Sequence, residues 1–433
     1  MELDKLVDLE KRTVSPLIYT DEEIYRREQE QIFARCWQFV GMAAEVPEAN
    51  DFVTSWIGEE PVVITRDGEG KIHVMLNSCT HRGVKVCRAE KGSAKTFTCP
   101  YHGWTFRNNG KLTGVPRFQE SYHGELNRDE YNLIEARVED FHGLIFACFD
   151  PEAPSFDEFM GDMKWYLELA MNRTPGGWEM IQGTEKLLVD ANWKLQSDQF
   201  CGDNYHADYT HRSVLMIFPE ADFRDDASND NFTVRLPGGH GFYRVDSVTT
   251  ENPDAPEVAQ YIRDVTAVRK SRMDPERASM LGDGTTCIFN VFPNLSALST
   301  PEFTQLRLNL PRGPGKQLLV FYLICDKEAP PAYKEAAARQ SAFAFSASGV
   351  FELDDGTCWA EATSTMRGAI RSQKPLPYIM GTGREQPRDN RPGLFSEVPN
   401  EDTVFGFYRG WLETMQHGPT KNDDHTVASI AAE

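Results

Sequence analysis

Long apolar runs are missing from this chain. No stretch approaches the roughly 18 consecutive apolar residues that a membrane-spanning helix needs. The first twelve residues alternate charge with Leu and Val, which is neither the apolar segment of a secretory signal nor the basic pattern of a transit peptide. A cytoplasmic protein with no membrane partner is therefore expected. Basic charge is also scarce: 45 Lys and Arg stand against 66 Asp and Glu, a net charge of −21. That excess of acid disfavours nucleic acid or an anionic lipid surface as the main partner. The nine cysteines are odd in number and spread over 433 residues, so a disulfide framework is not expected either. Internal repeats and low-complexity blocks are absent.

What remains is an ordinary globular composition, 40% hydrophobic and 26% charged, in a chain long enough for two domains. Residues 1–37 read as a helical lead-in, with Thr20 as N-cap, acids at 21–23 in the first turn, and Ile24, Ile32, Phe33 and Trp37 at roughly helical spacing. From 38 to 150, short apolar runs alternate with turn signals, among them the hairpin pair Asn109-Gly110, and an all-β domain is expected. From 151 to 433 helical and strand patterns mix. Pro330-Pro331 opens a helix, Gly349 is expected at its C-terminal end, Gln317 to Ile324 reads as a strand, and the acid-rich stretch 219–231 reads as a solvated loop. The fold class is α+β.

Two groups of residues carry chemistry. In the first, Cys79-Thr-His81 is followed after 17 residues by Cys99-Pro-Tyr-His102. Zinc accepts Cys₂His₂ ligands, but its boxes usually pair like with like. Here each box mixes one thiol with one imidazole. That suits a 2Fe–2S cluster with two thiolates on one iron and two neutral imidazoles on the other. Gly83 and Gly103 stand where tight loops would need them.

The second group is Asp203-Asn-Tyr-His206-Ala-Asp-Tyr-Thr-His211. Five helical steps place two side chains about 140° out of alignment, so if both histidines bind one metal the helix must distort or end between them. Asp203 shares a face with His206 and is suited to hold its second ring nitrogen. Two histidines and one carboxylate form the facial triad of non-haem Fe(II) oxygenases. The segment Phe351-Glu-Leu-Asp354-Asp355-Gly356 offers two candidates for the acid. His73, His123, His142 and His240 are assigned no role.

The paired boxes, Cys79-Thr-His81-Arg-Gly and Cys99-Pro-Tyr-His102-Gly-Trp, resemble those of Rieske proteins, in the oxygenase rather than the respiratory branch. The segments 25–41, Asn192-Trp-Lys194, Phe292-Pro-Asn294 and Phe407-Tyr-Arg-Gly-Trp411 extend the resemblance to the large (α) subunits of aromatic-ring-hydroxylating dioxygenases, toluene/biphenyl branch. The resemblance implies a Rieske domain at 38–150, a catalytic domain at 151–433 with an antiparallel sheet flanked by helices, and the lead-in packed on the latter. It makes Asp355 the third iron ligand and Asp203 a bridge from His102 of one subunit to His206 of the next. It further implies an α₃ or α₃β₃ ring with a small β-subunit, and O₂ as co-substrate. Electrons would come from NAD(P)H through a reductase, with or without a ferredoxin, and the reaction would be cis-dihydroxylation of a small aromatic substrate. Branch positions put Gln199, Phe200, Asn204, Ala207, Ile288, Leu298, Phe345 and Phe351 around that substrate; Asn204 and Ile288 depart from the biphenyl pattern of Met and His.

Arg82, Lys85, Arg88, Lys91 and Lys95, against Glu90, form a basic stretch in an acidic protein. It reads either as a docking face for an acidic electron donor or as a solvated loop. Three rivals stand beside the dioxygenase: a monooxygenase or demethylase of the same superfamily, a Rieske electron carrier without catalysis, and a zinc-dependent structural protein.

Overall fold

Val62, Val63 and Ile64 follow one another in a single strand, and all three are buried. Successive strand residues point to opposite faces, so such a run needs a core on each side. The computed structural model, which describes residues 2–181, 183–217, 231–246 and 256–421, has both. Val62 and Ile64 join Val40, Val53, Val74 and Ile145 in one apolar cluster. Val63 joins Phe52, Met75, Phe97, Trp104 and Phe106 in the other.

These clusters belong to one of two units, Phe33–Ala153. Its strands form three antiparallel sheets. One runs Ile72–Leu76, Glu60–Arg66, Asp51–Ile57, Lys91–Ser93. A second runs Leu112–Gly114, Thr105–Arg107, Thr96–Thr98, and a third Arg137–Phe141, Leu144–Cys148, Gln38–Met42. The turn at Asn109-Gly110 is the expected hairpin. Gly110 has φ +83° and donates its N–H to Arg107 O at 2.9 Å.

The other unit comprises Met1–Ile32 and Pro154–Glu433. It is built on a ten-stranded antiparallel sheet. The strand order is Trp178–Met180, Gln317–Asp326, Thr304–Pro311, Leu295–Ser299, Thr285–Val291, Gly241–Asp246, Phe232–Arg235, Arg391–Ser396, Gln386–Arg388, with Glu185–Val189 also on Gln317–Asp326. Every residue of Thr304–Pro311 is buried. The helix Asp402–His417 packs on the sheet and on the short helix Trp193–Gln199.

The N-terminal segment is fastened to this unit by a buried charge. Glu28 is fully buried and accepts from Trp193 Nε1 at 2.9 Å, Lys194 Nζ at 2.5 Å and Trp411 Nε1 at 2.8 Å. A buried carboxylate is tolerated when it is paired and hydrogen-bonded in this way.

Two cap expectations are corrected. Asp21, not Thr20, caps the helix Glu22–Glu28, accepting from the N–H of Glu23 and Ile24 at 2.9 and 3.0 Å. A carboxylate is favoured there because it meets the positive end of the helix dipole. Gly349 does not end a helix. The helix opened by Pro331 stops at Ala344, and Gly349 is the N-cap of the next, Val350–Met366. The stretch 219–230 lies outside the described residues.

Candidate metal centres and substrate pocket

The first candidate site rests on two loops of the same design. In each, the Cys carbonyl accepts from the glycine four residues on: Gly83 N to Cys79 O at 2.7 Å, Gly103 N to Cys99 O at 3.0 Å. In each, the Cys N–H closes the loop onto the residue after that glycine, Val84 O at 2.9 Å and Trp104 O at 2.8 Å. Both glycines have φ +75°, a left-handed conformation that costs most other residues. The loops bring four donors together. Cys79 and Cys99 are buried and adjacent, and the rings of His81 and His102 lie 4.6 Å apart. Trp104 stacks parallel on His81 at 4.8 Å.

Burial, followed by the neighbouring Cys99, raises the Cys79 thiol above its usual range, and burial together with His102 lowers His81. The Nδ1 atoms of both histidines are buried without a hydrogen-bond partner. Two thiols beside two imidazoles with orphaned nitrogens fit a Rieske cluster, which takes that donor set.

The second candidate site is assembled from distant segments. The short helix Ala207–Thr210 spans the gap between the two histidines and ends at His211, which adopts φ −96° and ψ 15°. His206 Nε2 and His211 Nε2 face the same oxygen, Asp355 Oδ1, at 3.6 and 3.4 Å. One donor atom from each of the three residues lies within 4.8 Å of the others. The outer nitrogens are backed by acids: His206 Nδ1 faces Asp203 Oδ2 at 3.4 Å, and His211 Nδ1 faces Asp354 Oδ2 at 3.5 Å. Asp203 Oδ1 meanwhile accepts from the N–H of Tyr205 and His206 and shapes the turn. Of the two adjacent acids, Asp355 is the buried, converging one and Asp354 the half-exposed, backing one.

The helix Val350–Met366 brings Phe351, Asp355 and Trp359 to the site on one face, four residues apart. Phe351 packs edge-on against His211, with ring centroids 4.8 Å apart. Trp359 Nε1 donates to Gln199 Oε1 at 2.7 Å, and Gln199 Nε2 lies 3.3 Å from His206 Nε2.

Burial pushes Asp355 up to about 7, against the pull of His206. Burial opposes charge on His206 as well, but the hydrogen bond and charge of Asp203 hold it at about 9. Burial and the charge of His206 take His211 down to about 4. Deprotonated imidazoles and carboxylate are the metal-binding forms, so a divalent cation entering here displaces protons.

A cavity of about 150 Å³ adjoins these three residues. An apolar cavity of that size accommodates a benzene ring. All eight residues expected around a substrate line it: Gln199, Phe200, Asn204, Ala207, Ile288, Leu298, Phe345 and Phe351. Tyr243, Val245, Thr286 and Thr300 line it too and were missed. Strand period would have found some of them. Thr286 stands two residues from Ile288 and therefore shares its face, and Tyr243 is the register partner of Ile288.

Comparison with known proteins follows the same division. Residues 156–427 match the ring hydroxylating alpha subunit (catalytic domain) family, and residues 36–132 match the Rieske [2Fe-2S] domain family. The chain is 36% identical to the biphenyl 2,3-dioxygenase α-subunit of Rhodococcus jostii (strain RHA1), over 96% of this chain and 91% of that one. It is also 36% identical to the benzene 1,2-dioxygenase α-subunit of Pseudomonas putida, over 96% and 93%. A naphthalene 1,2-dioxygenase solved with indole in its active site superposes with a TM-score of 0.90 at 29% identity, covering 100% of this chain and 99% of that one.

The chain belongs to the Rieske ring-hydroxylating oxygenases, as a catalytic α-subunit. Its cofactors are a Rieske 2Fe–2S cluster and a mononuclear non-haem iron, with O₂ as co-substrate and NAD(P)H as the remote reductant. Subunits of this family work with a ferredoxin or reductase and often with a β-subunit. Among the described residues, no helix is long and apolar enough to cross a membrane.

Proposed function

We propose that this α-subunit cis-dihydroxylates a small arene held in the cavity beside His206, His211 and Asp355. The observation that carries the reading is the meeting of two imidazole nitrogens and one carboxylate oxygen at the edge of a pocket walled by Phe200, Ile288, Leu298, Phe345 and Phe351. When bound, the cluster relays single electrons and the mononuclear iron activates O₂ reductively.

The chain's own residues have distinct tasks. Cys79, His81, Cys99 and His102 hold the cluster, and His206, His211 and Asp355 hold the mononuclear iron. Asp203 and Asp354 orient the histidines from behind, as carboxylates behind metal-bound imidazoles do. The aromatic and aliphatic walls orient a flat ring and exclude water. Asp203 also bridges to His102 of a neighbouring subunit in an α₃ or α₃β₃ ring. Arg82, Lys85, Arg88, Lys91 and Lys95 are all exposed and form the docking face for an acidic ferredoxin or reductase. Neutralising Lys91 and Lys95 together should slow reduction of the cluster and flatten its salt dependence. Unchanged kinetics would remove the docking role.

Metal content and product analysis test the reading. The protein should hold about three irons and two sulfides per chain, two irons in the cluster and one mononuclear, with a visible spectrum that bleaches on reduction. Reconstituted with its electron donors, it should convert benzene or biphenyl to a cis-dihydrodiol carrying both atoms of one ¹⁸O₂. Incorporation of a single oxygen atom, or N-demethylation, would instead make it a monooxygenase or demethylase. Two irons with no turnover would leave an electron carrier.

A further inference from the structure

Among the residues lining the cavity, His206 Nδ1, His211 Nδ1 and Asp355 Oδ1 are buried without hydrogen-bond partners, and these belong to the metal-binding set; most other polar groups of the wall are partnered. The Gln199 amide receives Trp359 Nε1 and faces His206. The Thr300 hydroxyl accepts from the N–H of Glu302 and Phe303 and donates to Phe303 O. Asn204 differs. Its Oδ1 is buried and has no hydrogen-bond partner, although the residue lines the cavity.

The turn does not account for this side chain. Asn and Asp commonly serve turns by accepting backbone N–H groups two or three residues on. Asp203, its neighbour, does that work here. The Asn204 side-chain oxygen does not. A buried carbonyl oxygen without a donor is costly, and a ligand that brings a donor removes the cost. Around it the wall is mainly apolar, with Phe200, Ile288, Leu298, Phe345 and Phe351. This combination selects a flat apolar body carrying one polar group.

We infer that Asn204 is a specificity-determining residue, and that the pocket takes an arene bearing an O–H or N–H donor, of phenol or aniline type, whose donor bonds to Asn204 Oδ1. This rests on the arene reading above and narrows it.

The test is equilibrium binding to the holoenzyme under argon, so that no turnover intervenes. Dissociation constants are measured for benzene, toluene, phenol and anisole, with the unaltered protein and with Asn204→Leu, a change that keeps side-chain size and removes the acceptor. The quantity read is the toluene-to-phenol ratio of dissociation constants in each protein, from which the general hydrophobicity of the ligands cancels. The ratio is expected to be about tenfold larger in the unaltered protein, the size of one net hydrogen bond. Anisole, an acceptor without a donor, should behave as toluene does.

An equal ratio in the two proteins would overturn the assignment, as would a preference for anisole that disappears in Asn204→Leu. Benzene separates this failure from failure of the broader reading. If the unaltered protein binds benzene but shows no substituent effect, only the role of Asn204 falls. If it binds none of the four, the arene pocket falls with it. If Asn204→Leu folds poorly, Asn204→Met, also without the acceptor, supplies the same comparison of ratios, and an equal ratio there overturns the assignment in the same way.

Discussion

The two metal centres are built in opposite ways. The cluster loops are local. Four donors fall within residues 79–102, on two turns that repeat the same hydrogen bonds and the same φ. The mononuclear centre is distributed: His206 and His211 meet an acid 144 residues further along the chain. A local centre depends on backbone conformation at a few positions. A distributed one depends on the packing of whole elements, here the helix Val350–Met366 against the turn that carries the histidines. Damage to the second should therefore spare the first.

The largest expected effect tests that independence. Asp355→Ala should abolish turnover and remove one iron of about three, while the visible spectrum of the cluster stays unchanged. If the spectrum is lost as well, the two centres are not separable in this way.

A smaller effect is expected at Asp203. Asp203→Ala should leave both metal contents intact and reduce turnover at least about 10–100-fold, as for other losses behind metal-bound histidines. Rapid-reaction measurement of cluster oxidation would place the loss in electron transfer. Full turnover would remove the bridging role.

Histidines outside the centres sharpen the contrast further. His240 is buried, its Nε2 lies 3.3 Å from Phe159 O, and its Nδ1 accepts from Phe292 N at 3.1 Å. Both contacts are satisfied by the neutral ring. Burial holds its pKa down at about 4, below the roughly 6.5 of an unfolded chain. The unfolded state therefore takes up a proton first. This contribution to stability is complete above about pH 6.5 and is lost as the pH falls towards 4. It amounts to about 2 kcal/mol between pH 7 and pH 5. Urea denaturation at the two pH values, compared with His240→Gln, should show the extra slope only in the unaltered protein.

The smallest effect lies inside the local centre. Gly83→Ala and Gly103→Ala each force alanine into φ +75°, at about 1 kcal/mol or somewhat more. Beyond that they differ. A Cβ at Gly103 would stand 3.0 Å from Pro116 Cγ, whereas at Gly83 the nearest atom is Ser78 Oγ at 3.8 Å. Gly103→Ala should melt at the lower temperature of the two and lose the cluster sooner on heating. Equal melting would mean that Pro116 yields without cost.

How much could be read in advance follows the same division. The four donors of the cluster, the two glycines and the Asn109-Gly110 hairpin were legible because each depends on neighbours in sequence. That the helix stops at the second histidine was legible too, since five helical steps cannot align two side chains on one ion. Thr20 and Gly349 were misread because a cap is decided by which of several adjacent polar or flexible residues the backbone actually presents. The pocket residues drawn from resemblance all line the cavity, but Tyr243, Val245 and Thr286 did not emerge, because their strands meet only in the sheet, nor did Thr300, in the loop after the strand Leu295–Ser299.

The sequence by itself therefore determined the chemistry: mixed Cys/His boxes, a histidine pair beside acids, an acidic surface and two domain textures. Between Asp354 and Asp355 the resemblance pointed to Asp355, and tertiary structure supplies the physical reason. The two are neighbours, and residue type alone does not separate them. On the helix they point about 100° apart. Packing of Phe351 and Trp359 turns that helix so that Asp355 faces both Nε2 atoms, while Asp354 stands behind His211. Tertiary structure likewise left the Asn204 oxygen buried without a donor, because whether a polar atom is satisfied depends on every element packed around it.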